Sequence, residues 1–65
     1  MVYTIEFISH AKNDENDMFY KKVKYTSRAK SLESKIVEKE VSGWIDDTIK
    51  TFNLSRDYSV ELVKV

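Results

Sequence analysis

The sequence contains no cysteine and no proline, and it has a single glycine, Gly43, and a single histidine, His10. The absence of cysteine excludes disulfides and thiolate metal sites, and one histidine excludes a multi-histidine metal site within one chain. A single glycine also excludes glycine-rich phosphate loops and the glycine-flanked serine of a nucleophile elbow. We therefore expect no enzyme and no cofactor.

Long apolar runs are also missing, so no segment is predicted to span a membrane. The N-terminal segment has no basic start and carries Glu6 within its apolar part, which is unlike a signal peptide. We therefore expect a cytoplasmic protein. In a single domain of 65 residues, the core rarely supplies more than about 3–5 kcal/mol. Because disulfides and thiolate metal sites are excluded, we expect self-association, as a homodimer, to reinforce this core.

Charge is balanced overall but unevenly distributed along the chain. There are 11 basic and 11 acidic residues, and residues 18–31 carry five basic side chains and no acidic one. Aromatic residues interleave with these cations, and such a segment can bind nucleic acid or an acidic protein surface. The sequence pI of about 6.6 argues against a general nucleic-acid binder. The candidate binding residues are Tyr20, Lys21, Lys22, Lys24, Arg28 and Lys30.

Alternating apolar and polar residues predict three β-strands. Residues 2–9 place Tyr3, Ile5 and Phe7 on one face, and residues 18–26 and 58–65 alternate in the same way. Between the first two strands, residues 10–17 are polar and rich in Asn and Asp, which predicts a hairpin loop longer than two residues.

A helix is predicted over residues 42–53, with Ser42 as N-cap and with Asp46 and Asp47 near the positive end of its dipole. Asn53 is the predicted left-handed C-cap. Residues 28–41 fit either a second helix or a strand. Because the apolar stripe of residues 29–37 is offset from that of the following segment, we expect a break near Gly43.

These elements predict a small α+β domain over residues 1–65. A mostly antiparallel sheet of three to four strands would be covered on one face by the 42–53 helix, with a second helix over residues 28–41 as an alternative to a strand.

Our first functional hypothesis is a small protein-binding module that modulates or inhibits another protein and self-associates, with the strand 58–65 as the candidate pairing edge. The compositional bias toward Lys, Glu, Asn and Ile is associated with AT-rich genomes and suggests a phage or mobile-element accessory protein. The alternative is a nucleic-acid-binding module that uses the basic segment. A third hypothesis is a dimeric enzyme with His10 as acid–base group, since His10 precedes Asp14, Glu15 and Asp17.

Overall fold

The computed structural model describes all 65 residues and contains three strands and one helix. The elements are β1 (Val2–Ala11), β2 (Asp14–Thr26), α1 (Lys35–Phe52) and β3 (Ser59–Lys64). The strands form one sheet in the order β2-β1-β3, and both outer strands are antiparallel to β1. This arrangement confirms the predicted α+β class. The chain contains no helix with the length and hydrophobicity needed to cross a lipid bilayer.

The alternation in β1 determines which face of the sheet is buried. Tyr3, Ile5 and Phe7 are fully buried, because successive side chains of a strand point to opposite faces and these three point toward α1. Directly opposite residues of antiparallel strands share a face, so the register assigns the rest of this inner face. Its members from the outer strands are Phe19, Lys21, Val23, Tyr25, Val60, Leu62 and Lys64.

The β1–β2 hairpin has a shorter turn than the sequence predicted. The turn consists of Lys12 and Asn13 alone, and β2 begins at Asp14. The register shifts after His10, which lies opposite Met18, whereas Ala11 lies opposite Asp14. Residues 15–17 are therefore inserted as an irregularity in the ladder. Their polar side chains resemble a loop because this end of β2 is solvent-exposed on both faces.

The helix is one continuous element, so the predicted break near Gly43 is wrong. Residues 35–41, which the sequence leaves open between a second helix and a strand, form the first part of this helix, and no separate second helix is present. The N-cap is Ser34, not Ser42, and its Oγ accepts a hydrogen bond from the Ile36 amide at 3.1 Å. The buried residues Val37, Val41, Ile45 and Ile49 recur every four positions and form one stripe. The apparent offset arose because Ala29 and Leu32, which precede the helix, pack on the core from a loop.

The longer helix also changes the role of Asp46, which the sequence predicts to lie with Asp47 near the helix start. Asp46 lies well inside α1, and its carboxylate is 2.8 Å from Arg56 and 2.9 Å from the Lys50 Nζ. Hydrogen bonds from Arg56 and Lys50 hold the pKa of Asp46 below its usual range. This cluster connects α1 to the segment that leads into β3.

The helix C-terminus is as predicted. Asn53 adopts the left-handed conformation, with φ of 54°, and its backbone N–H donates to the Ile49 carbonyl. Leu54, the next residue, is buried and forms an isolated bridge with Ala11. The C-cap thus returns the chain directly to the sheet.

Aromatic contacts hold α1 over β1 and β2. The Trp44 ring meets the Phe7 ring edge-to-face, with centroids 5.6 Å apart, and Phe52 lies 4.9 Å from Phe19 of β2. The Tyr3 hydroxyl donates to Glu40 of α1 at 3.1 Å, and burial together with this hydrogen bond raises the pKa of Tyr3. The core therefore lies between α1 and the β1–β2 half of the sheet.

Replacing Gly43 by alanine tests whether the helix is continuous at this position. Gly43 has a negative φ, and a Cβ added there meets no atom within 4 Å. We expect Gly43→Ala to stabilise the fold by about 0.5–1 kcal/mol, because glycine is a poor helix former. Urea denaturation followed by circular dichroism measures this change. A loss of stability would contradict a continuous helix.

Candidate interaction surface

β2 is an edge strand, so half of its backbone groups have no partner in the sheet. The Ser27 amide donates to the Met1 carbonyl, and this bond continues the register of the hairpin. The N–H and C=O groups of successive residues point alternately to the two edges of an antiparallel strand. The backbone groups of odd-numbered β2 residues therefore point toward β1. The N–H and C=O groups of Tyr20, Lys22 and Lys24 therefore point to the free edge.

Four of the six predicted binding residues lie on this edge strand, although they do not share one face. Tyr20, Lys22 and Lys24 lie on the outer face, which no helix covers, whereas Lys21 lies opposite Phe7 on the inner face. Arg28 and Lys30 follow in the segment between β2 and α1. We call this surface the basic edge; its members are Tyr20, Lys21, Lys22, Lys24, Arg28 and Lys30, and all are exposed.

The cations of the basic edge have no ion-pair partner in the fold. The ion pairs of the structure are those of Asp46 with Lys50 and Arg56, so no carboxylate lies within 4 Å of these five side chains. Positive side chains that form no close ion pair within the fold are available to an external anionic group.

Acidic groups occupy the centre of the outer face. Glu6 of β1 lies opposite Lys22 on one side and opposite Glu61 of β3 on the other. The Tyr20 hydroxyl donates to the Glu6 carboxylate at 2.9 Å, and this hydrogen bond raises the pKa of Tyr20. The outer face therefore combines a basic margin with an acidic middle.

The polar residues around His10 do not form a metal-ligand cluster. The His10 Nδ1 lies 2.8 Å from the Ala11 carbonyl oxygen, which is a local contact within the strand end. No group of three or more His, Asp and Glu side chains is placed to hold a metal ion. The hypothesis of an acid–base role for His10 gains no supporting geometry.

A second surface, which the sequence analysis missed, lies between α1 and β3. Because α1 packs toward β2, a groove of about 670 Å³ remains beside β3. We call it the α1–β3 groove. Its apolar lining includes Leu32, Val37, Val41, Tyr58, Val60 and Leu62. Alternation in β3 indicated that Val60 and Leu62 share a face, but the lateral position of the helix over the sheet leaves no periodic signal.

Comparison with known proteins gives no relative from which a role could be transferred. No protein-family model matches the chain, and no curated protein or solved structure is significantly similar to it. Interpretation of both surfaces therefore depends on their residues and geometry.

The contact between Tyr20 and Glu6 can be tested by titration. The carboxylate stabilises the protonated phenol, so we expect Glu6→Gln to lower the pKa of Tyr20 toward the usual value of about 10. Carbon NMR of the labelled tyrosine rings during a pH titration resolves this change. Glu61→Gln, which removes the neighbouring carboxylate on the same face, is the control and should shift Tyr20 much less. Equal shifts in both variants would contradict the specific hydrogen bond.

Proposed function

We propose that this chain is a small non-enzymatic protein-binding module that modulates or inhibits a partner protein. In this proposal, the basic edge binds an extended acidic segment of that partner. The observation that carries the proposal is the combination of free backbone groups on the β2 edge with three lysines on that strand and two further cations just beyond it, none of which has an ion-pair partner.

Strand addition explains how such a segment would bind. The partner strand pairs with the free N–H and C=O groups of Tyr20, Lys22 and Lys24, which gives main-chain affinity without a deep pocket. Lys22 and Lys24 then meet acidic side chains on the outer face, and Lys21 meets one on the inner face. Arg28 and Lys30 extend the positive surface beyond the end of β2.

The lysines also make this edge selective. Lysine on an edge strand discourages pairing with neutral or basic strands, because the approaching chain would have to bring together like charges or desolvate the ammonium groups. An acidic strand converts the same charges into attraction, so one set of residues both rejects most strands and accepts one class. Each exposed ion pair contributes only about 0.2–1 kcal/mol, so we expect moderate and salt-sensitive affinity.

A nucleic-acid-binding module is the second candidate. It is favoured by the position of Tyr20 beside Lys22 on the outer face, since an aromatic ring and cations together bind single strands. It is opposed by Glu6 and Glu61, whose carboxylates lie where the phosphates or bases of a strand crossing the sheet would pass. The acidic protein segment avoids this conflict, because it needs only the margin of the sheet.

Self-association is part of the proposal and uses the other edge of the sheet, which belongs to β3. A cytoplasmic setting and an origin in a phage or mobile element stay predictions from the sequence.

Fluorescence anisotropy distinguishes the two candidates. The probes are a labelled peptide that alternates Glu with Val and Thr, and labelled single- and double-stranded DNA and RNA, each titrated at low and near-physiological salt. We expect the acidic peptide to bind and the nucleic acids to bind weakly or not at all. Tight, salt-dependent binding of nucleic acid without peptide binding would instead support the alternative, and no binding of either would contradict the basic edge as a site.

A double charge reversal assigns the binding to particular residues. We expect Lys22→Glu combined with Lys24→Glu to abolish peptide binding and to leave the circular dichroism spectrum unchanged, because both side chains are exposed. The matched control is Lys35→Glu with Lys39→Glu, which makes the same change in net charge on exposed positions of α1. If the control weakened binding as much as the β2 variant, net charge rather than the basic edge would be responsible.

A further inference from the structure

β3 offers a second free edge, and its chemistry differs from that of the basic edge. The Val65 amide donates to the Val2 carbonyl, so the backbone N–H and C=O groups of odd-numbered β3 residues point toward β1. The backbone groups of Val60, Leu62 and Lys64 consequently point to the free edge. The middle of β3 contains no lysine that would oppose pairing, whereas β2 carries three lysines within four residues.

Exposed apolar side chains concentrate around β3. Of the large hydrophobic residues that remain exposed, four lie in or beside this strand: Tyr58 at 40%, Val60 at 39%, Val63 at 50% and Val65 at 67% exposure. Val60 and Leu62 also form the floor of the α1–β3 groove. This strand therefore has unpaired backbone on its edge and uncovered apolar surface on both faces, which together indicate a missing neighbour.

We propose that the missing neighbour is β3 of a second copy of this chain, paired antiparallel about a two-fold axis at Leu62. The sheet would then continue across the dimer in the order β2-β1-β3-β3-β1-β2, with both helices on one face. This inference rests on the self-association included in the proposed function, but it does not depend on the basic edge.

The register follows from the sequence of β3 itself. With Leu62 opposite Leu62 of the second copy, Val60 lies opposite Lys64 and Glu61 opposite Val63, so no like charges face each other. The free backbone groups on both strands then meet, and three hydrogen-bonded pairs give about six main-chain bonds. Centring the axis on Glu61 or on Lys64 would place identical charges opposite each other. Centring it on Val63 or Val60 would shorten the overlap or extend it beyond the strand.

The α1–β3 groove gives the dimer more contact area than the strand edge alone. A standard interface buries about 800 Å² per partner, which is about one sixth of the 4735 Å² accessible on this chain. In this register Leu62 of the second copy lies directly beside Leu62, so the two α1–β3 grooves adjoin and their apolar floors become continuous. A second β2 could not do this, because pairing of two basic edges would bring lysines together.

A charge substitution at Val60 tests both the dimer and its register. We expect sedimentation equilibrium to show a dimer for the unmodified chain. In Val60→Lys, the new lysine of each copy lies opposite Lys64 of the other copy. The repulsion should raise the dimer Kd by about tenfold or more, equivalent to about 1.4 kcal/mol. Adding Lys64→Glu to this variant should restore the dimer. Met18→Lys, an exposed apolar residue on β2, is the matched control and should leave the dimer unchanged.

Cysteine cross-linking gives an independent readout, because the chain has no cysteine of its own. In a hydrogen-bonded pair the Cα atoms are about 5.5 Å apart, which is suitable for a disulfide, so Leu62→Cys should form a covalent dimer rapidly. Ser59→Cys is the control, since the two copies of residue 59 would be about 20 Å apart in this register.

The outcomes separate this inference from the proposed function. A chain that stays monomeric at all concentrations, or a Ser59→Cys variant that cross-links as fast as Leu62→Cys, would overturn the β3 pairing. Binding of the acidic peptide by such a monomer would leave the basic edge in place. Conversely, a dimer with this register that binds no peptide would support β3 pairing and contradict the basic edge.

Discussion

The arrangement of this molecule follows from a limit of width, because a single helix packs on a sheet of three strands. A helix with its side chains is about 10–12 Å across, and neighbouring strands are about 4.8 Å apart, so one helix shields little more than two strands. Here α1 lies over β1, whose Tyr3, Ile5 and Phe7 are fully buried, and it leans toward β2 through the contact of Phe52 with Phe19. The α1–β3 groove is the consequence on the opposite side.

The two edges of the sheet carry different charges, since β2 has three central lysines and β3 has one lysine at its end. This difference determines how many copies can associate. If two copies pair through β3, both ends of the resulting sheet are β2 strands that carry lysines. Those ends repel further copies, so pairing closes at two chains instead of continuing into a fibre. The same lysines stay free to bind an acidic segment, so the dimer would present two equivalent basic edges.

Much of the sheet could be predicted from the sequence, because alternation directly reports burial on one face. The inward positions of Tyr3, Ile5 and Phe7 and the separation of Lys21 from Lys22 both follow from it. The cap at Asn53 was also predictable, since few other residues tolerate its left-handed backbone.

The helix start and the hairpin were harder, for physical reasons. Ser34 and Ser42 are equally good caps locally, and partly buried loop residues such as Leu32 continue the apolar pattern of the helix into the loop. An exposed polar strand end resembles a loop, as at Asp14. The residues of the basic edge could be identified from the sequence, because the clustering of charged residues is visible there. The α1–β3 groove could not, because it depends on where α1 settles across the sheet.

The electrostatics of the outer face connect the folding of β3 to its association. Glu6 and Glu61 lie directly opposite each other on neighbouring strands, and like charges in this position destabilise strand pairing. β3 is held by β1 on one side only, and its single half-buried apolar side chain is Leu62. A second copy adds hydrogen bonds on the other side of β3 and brings its Leu62 into contact with Leu62, which offsets this repulsion. Because a partner that binds only the folded chain stabilises it by mass action, assembly at β3 would strengthen the least secured strand of the fold.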